Sequence, residues 1–374
     1  MKTLYVIAAS QDYSRANHID LWNTLSLNAD VVVVNIPADY FVTVMTGKKE
    51  RIVEAKAGPL FVSSNLAVVR PLLFIRPEIR INILKRMLAK QFWKAVNAAF
   101  CLSNFEEIRL IIYNAFWAEI LYQSIPNLTI GYYLFDEVRT NQNNQPHEKR
   151  YKEDLKCCEL SDCIFAMSSK LMESRKEFED KITVIGNGAS YHPCNRSYHF
   201  SNSCAFVGNF RDWIDFDMLN RIIELNQSIS FFFVGPVEEK VKGKMKDFLF
   251  SYKNVFYCGI KPKSMISSIY SSFDVVIIPY KQNAFIQATR PIKIVESVFA
   301  GTPVVTVPVA GYEEHSFIKF AKTAEEFSKE IRTYIDNPID LNSDEYKDFV
   351  SQNTWECKAN QINQCFSQIS KEYL

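Results

Sequence analysis

Short, unbroken apolar runs alternate with helical patterns along nearly the whole chain, and this feature constrains the fold most. Leu4 to Ala9, Val31 to Ile36, Arg109 to Tyr113, Thr129 to Leu134, Cys163 to Met167 and Ile182 to Ile185 form one series. Cys204 to Val207, Ile229 to Val234, Val255 to Cys258, Val275 to Ile278 and Val304 to Val307 form a second. A strand that is apolar at successive positions, not alternate ones, has to be covered on both faces, as a parallel strand between two layers of helices is. Helices between successive strands supply the crossovers that parallel pairing requires. Each series therefore predicts a doubly wound α/β domain. The polar stretch 191–203, carrying Pro193, separates them. The expected division is a first domain over 1–195, a second over 196–350, and a closing helical segment over 351–374 that crosses back to the first domain.

Composition agrees with two cores, since 374 residues, 48% of them apolar and 23% charged, exceed what one compact core usually organises. Forty-three basic residues against forty-two acidic ones give a net charge of +1. That balance provides no global positive field, which excludes a dedicated nucleic-acid binder and makes any basic site local. The first apolar run is too short for the apolar region of a signal peptide, and no window approaches 18 apolar residues, so the expected location is cytoplasmic. Nine cysteines form no Cys-x2-Cys pair, and no second ligand pair stands beside Cys157, Cys158 and Cys163, which favours reduced thiols over zinc. The polar segment Asn141 to Pro146 is expected to be a mobile loop.

Doubly wound sheets bind ligands at the carboxyl ends of their strands, where helices begin. Ile277-Ile278-Pro279-Tyr280, then Arg290-Pro291-Ile292-Lys293-Ile294-Val295-Glu296, then Ala300-Gly301-Thr302-Pro303-Val304-Val305 is a strand, a loop, a helix start and the next strand. A diphosphate at that helix start would meet free backbone N–H groups and the Lys293 ammonium. Glu296, three residues on and on the same face, would accept from ribose hydroxyls. The same spacing also describes an ordinary exposed Lys–Glu pair.

These residues resemble the donor-site helix of GT-B fold glycosyltransferases. Phe206-Val207-Gly208-Asn209-Phe210-Arg211-Asp212-Trp213-Ile214-Asp215-Phe216-Asp217 is similar to the opening strand and loop of the second domain in bacterial polysaccharide glycosyltransferases of the group 1, teichuronic acid type. Phe233 to Pro236 and Asn254 to Gly259 are similar to that family's next two strand ends. The likeness covers roughly residues 131 to 310 well and the first hundred only as a general pattern. It implies two Rossmann-like domains facing a cleft, with a nucleotide-sugar donor, above all a UDP-sugar, in the second, and transfer to a lipid-linked surface glycan. By the same resemblance Gly208 allows close backbone approach, Arg211, Arg290 and Lys293 neutralise the diphosphate, Glu296 holds ribose and Tyr280 lines the pocket. No cofactor and no metal are expected.

Retaining relatives commonly carry Glu-x7-Glu, whereas Ala288 stands eight residues before Glu296. The inverting xanthan glucuronosyltransferase type, which this chain resembles around Tyr280 and Lys293, uses a first-domain Asp as base. Leu134-Phe135-Asp136-Glu137 ends a first-domain strand and should face the cleft. A helix-capping Asp is the alternative, and the resemblance favours Asp136 over Glu137 as the base. Arg15 and His18, after the first strand, are further acceptor-side candidates. Asp215-Phe216-Asp217 imitates a metal-binding Asp-x-Asp but precedes a helical pattern and reads as an N-cap. Gly186-Asn187-Gly188 lacks the third glycine of a dinucleotide fingerprint and reads as a turn.

Between residues 70 and 94 stand seven basic residues and one acidic. Leu84, Leu88, Phe92 and Val96 share one helical face, with Arg86, Lys90 and Lys94 elsewhere. Two readings stay open: a basic amphipathic helix docked on an anionic membrane through Arg80, Lys85, Arg86, Lys90, Trp93 and Lys94, or a helix packed on the sheet with a solvated basic face. For the chain as a whole, a non-hydrolysing nucleotide-sugar epimerase and a non-catalytic glycosyltransferase-like partner subunit remain the alternatives.

Overall fold

The computed structural model describes residues 2–13, 18–39, 50–74, 82–139, 145–190 and 199–372. The segment 141–144 of the expected mobile loop, residues 191–198 of the linker, Arg15 and Arg80 lie outside them.

The first sheet has eight strands in the order β10-β9-β8-β7-β1-β2-β5-β4. They are β1 Thr3–Ala8, β2 Asp30–Val34, β4 Leu60–Ser63, β5 Leu66–Val69, β7 Glu107–Ile112, β8 Leu128–Leu134, β9 Cys163–Ala166 and β10 Ile182–Val184. Two-residue strands β3 (Ala38–Asp39) and β6 (Leu72–Leu73) form a separate pair. The second sheet has six strands in the order β13-β12-β11-β14-β15-β16. These are β11 Phe200–Val207, β12 Ser230–Val234, β13 Val255–Gly259, β14 Phe273–Ile278, β15 Val304–Thr306 and β16 Ile318–Phe320. Every pairing in the two large sheets is parallel except β4 with β5. Strand order reverses between β1 and β7 and again between β11 and β14. Each reversal splays two crossovers apart and leaves a crevice at the strands' carboxyl ends, so the fold provides two facing crevices.

The strands left unread in the sequence are the two- and three-residue β3, β6 and β16, the exposed β4 and the buried four-residue β5. All four residues of β4 are exposed on this sheet edge, and β16 carries a lysine between two apolar residues. The helix starts are those the sequence marks. Asp215 accepts from the Met218 N–H at 3.0 Å, so its carboxylate caps the helix Phe216–Leu225. Thr323 accepts from the Glu326 N–H at 3.2 Å, and Glu326 reaches back to the Lys322 N–H at 2.6 Å.

The helix Trp355–Glu372 contributes Trp355, Ala359, Ile362 and Phe366 to the first sheet's core. Phe366 packs edge-on against Phe165. Buried Arg109 ties this helix down, donating to the Tyr5 hydroxyl at 2.7 Å and to Ser367 Oγ at 3.2 Å while pairing with Glu107 at 2.9 Å.

The helix Asn82–Ala99 buries Leu88, Phe92 and Val96 as its periodicity demands. It corrects the membrane reading in two places. Trp93 is not an interfacial anchor: it is 6% exposed, and its indole N–H donates to Ser124 Oγ at 2.8 Å. Lys85 is turned to Glu119, 2.9 Å away. Both follow from a neighbouring helix, Ala115–Leu121, whose Trp117 packs on Phe92, so a second face is covered. Arg86, Lys90 and Lys94 remain exposed, with Ile83 and Met87 beside them. No helix of the described residues is long and apolar enough to cross a membrane.

Candidate active site

One side of the cleft is built on a lysine lying over a glycine. Gly208 follows β11 with φ +144, in a region that L side chains rarely adopt, and a Cβ there would stand 1.9 Å from Lys293 Cε. The glycine is what lets the Lys293 stem cross the strand end. Lys293 comes from the first turn of the helix Ile292–Phe299. Its ammonium donates to the Tyr280 hydroxyl at 2.9 Å and lies 5.7 Å from the ring centroids of both Phe206 and Tyr280. One of three N–H donors is thereby engaged, and the charge is fixed beside the helix start, where backbone N–H groups also point.

Glu296 lies one turn along. Its Oε2 accepts from the Tyr270 hydroxyl at 3.4 Å. Burial pushes the carboxyl above its usual range, against the pull of the Lys293 and Lys263 charges. Lys263 reaches across the cleft to Asp20 of the first domain at 2.7 Å. Arg211 stacks over Trp213 at 4.8 Å and stands 3.8 Å from Glu238, so its charge is partly shared.

Arg290 is engaged elsewhere. It lies over Tyr312 at 4.8 Å and donates to Asn353 Oδ1 at 3.4 Å. A Cβ on Gly186 would come within 1.9 Å of its guanidinium. These partners sit where the chain crosses between the two sheets.

On the facing side Asp136 follows β8 and lines a cavity of about 530 Å³ with Asn114 and Arg150 of the first domain and Asp212, Lys240 and Phe285 of the second. Burial raises its carboxyl to about 6, with Arg150 pulling the other way. Glu137 is a different group. Its side chain is 2% exposed, and Arg139 holds it through guanidinium contacts at 2.9 and 3.1 Å and a backbone N–H at 2.7 Å. Although burial acts against ionisation, those bonds keep it below the usual carboxylate range. It lines the same cavity as Asp136, with its carboxylate held by Arg139. His18 sits in an aromatic box of Tyr113, Tyr133, Phe135 and Trp355, with its nearest ring, Tyr133, at 4.8 Å. Burial lowers its imidazole to about 4, and the Lys263 charge adds to this.

The fold thus brings Lys293, Glu296, Tyr280 and Gly208 together at one crevice and sets Asp136 at the facing one. Sequence reading missed Lys263, Asp20, Tyr270, Arg150 and Lys240. Lys263 had a signal, since it follows the end of β13. Tyr270 had none, because a tyrosine at the end of a five-residue helix looks like any core residue.

Residues 201–337 match the family model of glycosyl transferases group 1. Over 100 residues the chain is 29% identical to TuaH of Bacillus subtilis (strain 168), named for glycosyl transfer in teichuronic acid biosynthesis. That match covers 27% of this chain and 25% of TuaH, a quarter of the relative's length. Among solved structures, HepE from Anabaena, crystallised with UDP and glucose, aligns over 98% of this chain and 100% of its own with a TM-score of 0.64 at 14% identity. A glycosyltransferase from Rickettsia africae aligns over 99% of each chain with a TM-score of 0.66 at 11% identity. At such identities the likeness is one of fold, and the fold is GT-B. The matched stretch 201–337 carries the Lys293–Glu296 crevice, and Asp136 lies outside it, after β8.

Proposed function

We propose that this chain transfers a sugar from a nucleotide diphosphate donor, a UDP-sugar, to a hydroxyl of a lipid-linked surface glycan. The observation that carries the reading is the two-sided cleft. A fixed ammonium and a helix start stand on one side, and a half-buried carboxylate with its titration raised to about 6 stands beside a cavity shared by both domains. The match to the group 1 family model supports sugar transfer, and the UDP in the HepE crystals supports the nucleotide.

In this reading the acceptor O–H gives its proton to Asp136 as its oxygen attacks the anomeric carbon. The bond from that carbon to the diphosphate oxygen breaks, and its electron pair leaves with the diphosphate. Lys293 and Arg211 sit where that negative charge grows, and a preorganised charge stabilises it most in the transition state. A base acting directly on the acceptor fits inversion at the anomeric carbon, and Ala288 in place of the first Glu of the retaining pair fits it too. The exposed Arg86, Lys90 and Lys94 support docking on the cytoplasmic face of an anionic membrane, where a lipid-linked acceptor is presented.

The test is transfer from radiolabelled UDP-sugars to lipid in a membrane extract. Asp136→Asn should bind UDP normally, melt within a few degrees of wild type and turn over at least about a hundredfold more slowly. Lys293→Ala should weaken UDP binding by about 1.5 to 3 kcal/mol, the range of a charge-assisted hydrogen bond. Near-normal turnover in Asp136→Asn, or a retained anomer in the product, would overturn the base. An isomerised nucleotide sugar without transfer would identify an epimerase.

A further inference from the structure

The motif Ala300-Gly301-Thr302-Pro303 carries much of the family resemblance, yet Thr302 is fully buried. Its bonds show what it holds. Thr302 Oγ1 donates to the Tyr270 carbonyl at 2.8 Å. The Thr302 N–H donates to the Ser297 carbonyl at 3.0 Å, and Ser297 Oγ donates to the Thr302 carbonyl at 2.9 Å, which closes the turn back onto the helix that carries Glu296. Tyr270, 1% exposed, is pinned at its backbone by Thr302 and donates its hydroxyl to Glu296 Oε2 at 3.4 Å.

We propose that Tyr270 is a positioning residue that aims the Glu296 carboxylate at the ribose of the donor nucleotide, with Thr302 fixing Tyr270 in turn. The inference rests on the reading of Glu296 as the ribose residue. A glutamate's terminal torsion is broad, so an untethered carboxylate spreads its oxygens over many directions. A rigid phenol that holds Oε2 leaves Oε1 in one place, and Oε1 has no bond among the described residues. The hydroxyl also favours the ionised form in a setting where burial disfavours it, and only the ionised form is a pure acceptor for sugar hydroxyls. A site built to bond a hydroxyl discriminates against the analogue that lacks it.

The experiment measures calorimetric affinities of the full chain for UDP, 2′-deoxy-UDP and 3′-deoxy-UDP. Wild type should prefer UDP over at least one deoxy analogue by at least about tenfold, the low end for a hydrogen bond to a charged group. Tyr270→Phe keeps the ring and loses the hydroxyl. It should cut the preference at least about threefold by weakening UDP while leaving the deoxy analogue's affinity unchanged. Thr302→Val should do the same and Thr302→Ser should restore it, a pair that also decides the matter if Tyr270→Phe does not fold. Equal weakening of UDP and the deoxy analogues would show a merely structural role and overturn the inference. If Glu296→Gln abolishes the preference while Tyr270→Phe and Thr302→Val retain it in full, the positioning role falls and the ribose assignment stands. If Glu296→Gln keeps the preference, or wild type has none, the ribose assignment itself is wrong.

Discussion

Asp136 lines the cavity and His18 lies in the aromatic box behind it, two of whose rings, Tyr113 and Phe135, also line that cavity. Burial moves the two groups in opposite directions because it disfavours whichever form is charged. The carboxyl rises to about 6 and the imidazole falls to about 4. Near neutral pH, then, Asp136 is ionised and close to its titration, while His18 is neutral and far from its own. The dependence of kcat/KM on pH reports the free enzyme's essential base, so it should climb with pH and level off above about 6. Asp136→Asn should remove that limb together with most of the activity, and His18→Phe should keep it. A limb that survives in Asp136→Asn would place the base elsewhere. Stability should show the opposite signs. The folded Asp136 binds its proton more tightly than the unfolded one, so its contribution falls as pH rises from about 4 to 6 and is constant beyond. The folded His18 binds its proton less tightly, so its contribution is full above about 6.5 and is lost as pH falls towards 4.

At the scale of elements, most strands buried on both faces were legible because an apolar run such as Val31 to Val34 has no other stable setting, whereas the buried β5 was missed because its run stops at Arg70 after four residues. Caps were legible because Asp215 and Thr323 stand next to the N–H groups they satisfy. The helix Asn82–Ala99 was legible on one face only. Periodicity marks Leu88, Phe92 and Val96, but no local pattern reports that a second helix covers Trp93 and draws Lys85 to Glu119. The same limit divides the site. Lys293, Glu296 and Asp136 are read from their own strand ends and helix starts, whereas the contacts of Tyr270, Lys263 and Arg290 come from crossovers distant in sequence. If the exposed face of this helix docks on lipid, the protein should sediment with anionic vesicles and not neutral ones, and salt should release it, since surface attraction of about 1 kcal/mol per basic residue is screened. Changing Arg86, Lys90 and Lys94 together to Glu should abolish sedimentation without lowering the melting temperature. Trp93→Ala should instead destabilise by about 3 to 5 kcal/mol as a core cavity. A triple variant that sediments like wild type would leave only the solvated-face reading.

For the whole molecule, the question is what sets the two crevices facing each other. At the mouth, Lys263 meets Asp20, but their side chains are 60% and 32% exposed, and an exposed pair contributes about 0 to 1 kcal/mol. Such a contact biases closure without fixing it. At the crossing the contacts are buried: Ser168 Oγ donates to the Ala288 carbonyl at 3.0 Å, the Ala189 N–H donates to the Asn353 carbonyl at 2.9 Å, and Arg290 fills the space between Gly186 and Tyr312. Gly186 is at φ +67, so any side chain there is strained as well as overlapping Arg290. Domain orientation is therefore set at the crossing, and the two ends should respond differently to mutation. Lys263→Met should leave the melting temperature within about a degree or two and change the donor KM by less than about fivefold, the most an exposed pair supports. Gly186→Ala should lower the melting temperature by several degrees and broaden the solution scattering profile, with kcat/KM falling because an acceptor hydroxyl held at Asp136 would no longer meet a donor bound at Lys293, even though the Lys293 crevice should still bind UDP. Equal effects at the two ends would mean that the mouth pair, and not the crossing, sets the cleft.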